Sequence, residues 1–170
     1  MSNSSCIISW KNQILSDLGN DENIIEALNL DKDENPEDLV WHRLFPHYYI
    51  PDVQENVKTY ILVEIDIVEQ RVSRYEKKSS VYSHPQITFR ILSHQDDMQM
   101  KKQGISATRI DYIGYLIDKK YNKRKGFGIG RLQLISNLAG NLSDTYRVRE
   151  LIFQGVDIDD SLCDDEEIDE

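Results

Sequence analysis

The sequence predicts an α+β domain: a mainly antiparallel four-stranded sheet with helices packed on one face, in the order α-β-β-α-β-β, and a long hairpin arm between the first two strands. Three observations carry this. Apolar side chains recur at spacings of three and four after Thr108, residues 58–68 and 86–94 alternate with period two, and a glycine-rich run separates the helix from two closing β-prone segments. Residues 106–153 hold that helix, the glycine turn and the hairpin, and the other elements are expected to cover them.

Composition bounds the reading. With 170 residues, 39% hydrophobic and 9% aromatic, the chain suits one soluble globular domain over residues 1–156. No stretch approaches the run of about 20 apolar residues that crosses a bilayer, so no membrane partner is expected. Residues 1–6 lack the basic and then apolar segments of a secretory signal, which points to a cytoplasm. Cys6 and Cys163 stand alone, without metal-ligand spacing, and are expected to be reduced. The net charge of −10 is concentrated at one end: residues 157–170 carry nine acids and no base, and 30 − 9 leaves 21 acids against 20 bases. Such a run buries too little apolar surface to order itself, so residues 157–170 are expected to be a disordered acidic tail. Docking on a basic partner is the alternative.

In chain order, residues 1–30 read as N-terminal helices. Ile7, Ile8, Ile14, Leu15 and Leu18 fit one helix capped by Ser4 or Ser5 and ended by Gly19; Ile24, Ile25, Leu28 and Leu30 mark a second. Asn35 and Pro36 have the form of a cap and first residue of a brief helix that Pro46 and Pro51 prevent from continuing. From Lys58, Ile61, Val63, Ile65 and Ile67 point to one side, and Tyr60, Leu62, Glu64, Asp66 and Val68 to the other. Residues 69–85 are polar, basic and irregular, the extended arm, and residues 86–94 return as a strand with Ile87, Phe89 and Ile91 on one face. Thr108 and Asp111 form a capping box for a helix whose stripe is Ile110, Ile113, Leu116, Ile117 and Tyr121; Lys119, Lys120, Lys123, Arg124 and Lys125 crowd its end, and Gly126 stops it. Residues 131–138 put Leu132, Leu134 and Leu138 on one face, residues 137–144 turn, and residues 146–153 close the hairpin.

Four constellations invite chemistry, and each has a structural reading beside it. Among residues 41–51, His42 and His47 lie with Trp41, Phe45, Tyr48 and Tyr49; two imidazoles suit a metal or a proton, but without a third ligand nearby packing of rings and prolines is favoured. Glu64 and Asp66 are spaced as an acid and base on one strand face, and a solvated or interfacial face predicts the same pair. Arg71, Arg74, Tyr75 and Tyr82 in the arm, with Lys77 and Lys78, combine charge and rings as a nucleic-acid surface does, yet Glu69 and Glu76 offset them and an intersubunit arm explains them equally. His94, Asp96 and Asp97 at a strand exit suit metal binding or proton transfer, and they also suit a turn. The glycines of Gly126-Phe127-Gly128-Ile129-Gly130 follow a helix and enter a strand, the reverse of a phosphate loop. No cofactor and no catalytic motif is read here.

The element order, Phe-Pro-His-Tyr-Tyr-Ile-Pro at residues 45–51, Ser93-His94-Gln95-Asp96, Thr108-Arg109-Ile110-Asp111 and Gly126-Phe127-Gly128-Ile129-Gly130-Arg131-Leu132 together resemble the small neck and tail-completion proteins of tailed bacteriophages, closest in layout to the tail terminator group. The resemblance implies a structural virion protein, not an enzyme. It implies a ring, commonly of six copies, that caps the tail tube, joins it to the head connector, and lets viral DNA pass its lumen without specific binding. Assembly in a host bacterial cytoplasm and residence in the virion neck follow from it. The contacts expected to close a ring are Tyr60, Leu62, Glu64, Asp66, Arg71, Arg74, Tyr75, Tyr82 and Asn141. A head-to-tail adaptor, or a small metal-dependent hydrolase or nucleic-acid processing factor using His94, Asp96 and Asp97, are the alternatives.

Overall fold

A computed structural model of the protein describes residues 3–30, 34–50, 57–73, 80–100, 104, 106–128 and 130–156. The amphipathic N-terminal segments form α1 (Asn3–Gly19) and α2 (Glu22–Leu28). Asp21 caps α2, its carboxylate accepting from the amides of Asn23 (3.0 Å) and Ile24 (3.4 Å), and Asn29 ends it in the left-handed conformation at φ 52°. Asn35 caps a three-residue 3₁₀ turn at Pro36–Asp38, the brief helix that Pro36 foretells.

Five strands follow: β1 (Leu44–Phe45), β2 (Thr59–Ser73), β3 (Ser80–His94), β4 (Arg131–Asn141) and β5 (Tyr146–Val156), with α3 (Arg109–Tyr121) between β3 and β4. They make one sheet in the order β1-β2-β3-β5-β4, antiparallel throughout except where β1 pairs parallel with β2 at Ile61 and Leu62. The expected sheet of four strands therefore gains a fifth. Two residues wedged between buried Arg43 and Pro46 are too few to show a period in sequence; the register Leu44↔Ile61 and Phe45↔Leu62 defines the pairing, and the Ile61 amide donates to the Arg43 carbonyl (2.8 Å) beside it.

All three helices cover one face. There Ile14, Leu18, Ile24, Leu28, Ile113, Ile117 and Tyr121 meet Ile61, Val63, Ile87, Phe89, Ile91, Leu151 and Phe153, all at or near zero exposure. Burying each such side chain contributes about 2 kcal/mol relative to leaving it in water. Among the described residues no helix is long and apolar enough to cross a membrane.

Four sequence expectations are corrected. First, α3 ends at Tyr121 instead of running to Gly126, because the chain beyond it is taken up by β4: the Lys123 amide donates to the Leu132 carbonyl (2.7 Å) and the Leu132 amide to the Arg124 carbonyl (2.9 Å). Second, the capping box at its start is half made. Thr108 Oγ1 accepts from the Asp111 amide (3.3 Å), but the Asp111 carboxylate turns away to Arg149 Nε (2.6 Å).

Third, residues 69–85 are not irregular at their ends: β2 continues to Ser73 and β3 starts at Ser80, paired as Glu69↔His84 through Ser73↔Ser80. Pro85 interrupts the period-two pattern yet lies in β3 opposite Ile67, where the register shifts across Val68, a bulge that tolerates its missing N–H. Fourth, Leu138 does not share a face with Leu132 and Leu134. A register shift between Leu134 and Ser136 turns the strand over, so Leu138 stands 60% exposed on the other side while Leu132 is buried. The acidic tail lies outside the described residues.

Candidate interaction surface

The sheet face away from the helices starts as the mixed side of β2. Tyr60 and Leu62, expected as contact residues, are buried, as are Leu92 and Tyr146 beside them. What covers them is the chain after β1: Phe45 stacks on Tyr49 at 4.2 Å and 11°, and Tyr49 meets Tyr60 edge-on at 5.7 Å. Burial pushes the Tyr60 phenol well above its usual pKa and raises that of Tyr146, which favours the neutral form of both. Tyr60 and Leu62 are thus covered by residues of the chain itself. The aromatic segment at residues 41–50 closes part of the second face.

Next to this slab lies an ion triad. Arg90 donates Nε to Glu150 (2.5 Å) and Nη1 to Glu64, with its guanidinium 5.3 Å from the Tyr48 ring. Partial burial works against the Arg90 charge, but the two carboxylates outweigh it and raise the pKa. Glu64 is thus a partner of Arg90 and is spaced from Asp66, which is exposed, by the strand pleat alone. At the triad the face opens into a groove of about 210 Å³, lined by Arg90, Glu150 and Tyr48 on one side and by Leu92, Val148, Gly140, Leu138 and Leu142.

Of the other expected contact residues, Arg71 and Tyr82 are backbone register partners in the β2–β3 ribbon. Arg74 and Tyr75 lie outside the described residues. Asn141 is exposed at the end of β4, opposite Arg147.

The structure does bring His94, Asp96 and Asp97 together, at a 3₁₀ turn (Gln95–Asp97), but each already has a structural partner. His94 Nδ1 accepts from the Asp96 amide (3.2 Å) and its ring stands edge-on to Tyr146 at 5.3 Å. Asp97 is buried: Asn29 Nδ2 and Thr59 Oγ1 donate to its two oxygens at 2.8 Å each, and Arg109 Nη2 lies 3.2 Å away. Arg109 in turn donates to the carbonyls of Asp97 (2.5 Å), Gln99 (3.1 Å) and Ala27. Burial lowers the Arg109 pKa, and Asp97 offsets part of that. The arrangement is a clamp between α2, β2 and the start of α3. Among the described residues no group of three or more His, Cys, Asp or Glu is placed to hold a metal. His42 Nδ1 lies 2.8 Å from the Asp38 carbonyl and His47 packs between Trp41 and Phe45, so the imidazoles of the loop are apart in role.

Sequence reasoning missed Arg43, Arg90 and Arg109. Arg43 is almost fully buried, forked onto Glu34 (2.8 and 2.5 Å) and bonded to the Thr59 carbonyl (3.1 Å). One signal was available for Arg90: it interrupts the apolar run Phe89 to Leu92 on the strand face that Glu64 occupies in β2 and Glu150 in β5. Nothing in the sequence marks Arg43 or Arg109, whose partners are backbone carbonyls or distant side chains.

These features define a class: an α+β protein with one sheet face sealed by helices and the other part-covered by a loop and part-open. Within it, the family model described as YomW matches residues 21–154, and the chain belongs to the YomW family. No curated protein matches it.

Proposed function

We propose that the protein is a structural, self-assembling component of a tailed bacteriophage particle, a tail-completion protein that forms a ring capping the tail tube and joining it to the head connector. The observation that carries this reading is the β2–β3 ribbon. Past the bulge at Val68, residues 69–73 and 80–84 pair with each other; the His84 ring still lies 3.1 Å from the Gly155 carbonyl of β5, and beyond it, among the described residues, no third strand pairs with the ribbon. A two-stranded ribbon is marginal in water by itself, so a neighbouring surface is needed to seat it. Seating on the next copy makes a heterologous contact, the kind whose rotation closes a ring. The strings that resemble those of tail-completion proteins and the Bacillus phage origin of the family's name support the phage setting. A ring lumen that passes DNA without gripping it is consistent with a body whose acids and bases nearly balance.

Electron micrographs and solution mass of the purified protein test this. The expected result is a ring with a central hole, lost when residues 69–84 are replaced by a tight turn while the circular dichroism of the fold is kept. A protein that stays monomeric, alone and with a tail-tube protein, overturns the reading.

A further inference from the structure

The outer edge of β4 is divided by its bulge. Before the bulge the outward backbone groups are used: Leu132 bonds to Lys123 and Arg124 as above, and the Leu134 amide donates to Asn122 Oδ1 (3.4 Å). After it they are open. The Leu142 amide donates to the Tyr146 carbonyl (3.1 Å), and alternate residues of an antiparallel pair bond in the same direction, so Gly140, Leu138 and Ser136 face β5. Asn137, Ala139 and Asn141 therefore aim N–H and C=O away from the sheet, and no hydrogen bond from another described residue meets these backbone groups.

The usual protection of such an edge is missing. Between Arg131 and Asn141 there is no charged residue and no proline, and Ile135 and Leu138 are 50% and 60% exposed. An edge of this kind templates pairing with another strand.

We infer that this edge pairs with the same edge of a second copy of the chain, antiparallel, with the two-fold axis at Ala139. The residues themselves select that occupant and register. Asn137-Leu138-Ala139-Gly140-Asn141 laid against its own reverse sets Asn137 opposite Asn141, Leu138 opposite Gly140 and Ala139 opposite itself. The three outward residues each donate and accept across the axis, with no group left over. On the outer face each Leu138 lies over a glycine of the other copy, at the rim of the groove floored by Leu92 and Val148, so the leucine leaves water and the groove is filled twice by symmetry. The reverse case of two large side chains does not arise. The result is one continuous sheet across two copies. It goes beyond the ring reading and does not rest on it, because a two-fold contact closes at two copies.

Mass in solution with three variants decides it. Leu138→Lys puts a charge over each glycine, and Ala139→Pro removes an outward N–H without touching a bond to β5. Each is expected to halve the wild-type mass with the thermal transition of the fold kept. In a Cys6→Ser, Cys163→Ser background, Ala139→Cys is expected to oxidise to a disulfide-linked pair, since directly opposed Cα atoms lie about 5.5 Å apart, within disulfide reach. If Ala139→Pro does not fold, Leu138→Lys and the disulfide decide. A mass unchanged by Leu138→Lys, or no disulfide, overturns the pairing. A ring whose mass none of these variants alters removes the pairing and leaves the ring standing, whereas a monomer from Leu138→Lys upholds the pairing and removes the ring.

Discussion

The two faces of the sheet are built from the same strands and do different work. The helix face is apolar from Ile61 on β2 to Phe153 on β5, and three helices seal it. The opposite face takes the alternate residues of those strands, and it is divided into a ring-packed slab at Tyr60, an ion triad at Arg90 and an open groove by Leu138. The difference teaches that most of the apolar burial lies on one side, while the other side, buried only under the ring-packed slab, is free to vary in polarity and to meet something else.

The comparison can be broken by large effects or sharpened by small ones. Phe89→Ala, in the middle of the helix face, is expected to cost about 4 kcal/mol in urea unfolding, the range for a fully buried ring. A cost near zero would mean that the helix layer is not what holds the sheet. Asp97→Ala leaves Arg109 buried without its carboxylate and is expected to cost about 3 kcal/mol, with secondary structure retained under native conditions.

Asp21→Ala tests the seam between α2 and α3. Burial alone would raise the Asp21 pKa, but the bond from Lys120 (2.5 Å) and the two capped amides hold it below the ordinary carboxylate value. A depressed pKa gives stability that is present above the unfolded value and is lost as pH falls through the folded one. The variant should therefore be about 1 kcal/mol less stable at pH 7, a gap that closes below pH about 4. Smallest of all, Leu138→Ala on the open face should change the unfolding free energy of the single chain by less than about 0.5 kcal/mol. A larger loss that grows with protein concentration would show that this leucine is covered in solution.

How far the chain could be read in advance follows the same division. Helices and long strands are legible because their apolar periods are long: the stripe from Ile110 to Tyr121 and the alternation from Ile61 to Ile65 both lie on the helix face. Misreadings fell where one residue changes the phase. The bulge before Ser136 carried Leu138 to the wrong side, and the one at Val68 hid the extension of both strands beside Pro85. On the second face, Tyr60 and Leu62 alternate as contact residues do, and only the tertiary placement of Phe45 and Tyr49 covers them. His94, Asp96 and Asp97 stand together at the 3₁₀ turn because they are near one another in sequence. What was invisible is that Asn29 and Ala27, from far earlier in the chain, complete the cluster at Asp97 and Arg109.

That clamp also bears on how the molecule opens. Its bonds join positions 68 and 82 residues apart, so they form only after the N-terminal segment has docked. Peeling that segment away breaks the bonds from Asn29 to Asp97 and from Arg109 to the Ala27 carbonyl and exposes the buried Ile24 and Leu28, which makes it a costly local opening. The amides of α2 are therefore expected to exchange with deuterium at the same slow rate as those in the centre of β3, making the short helix at the start of the chain as long-lived as the heart of the sheet.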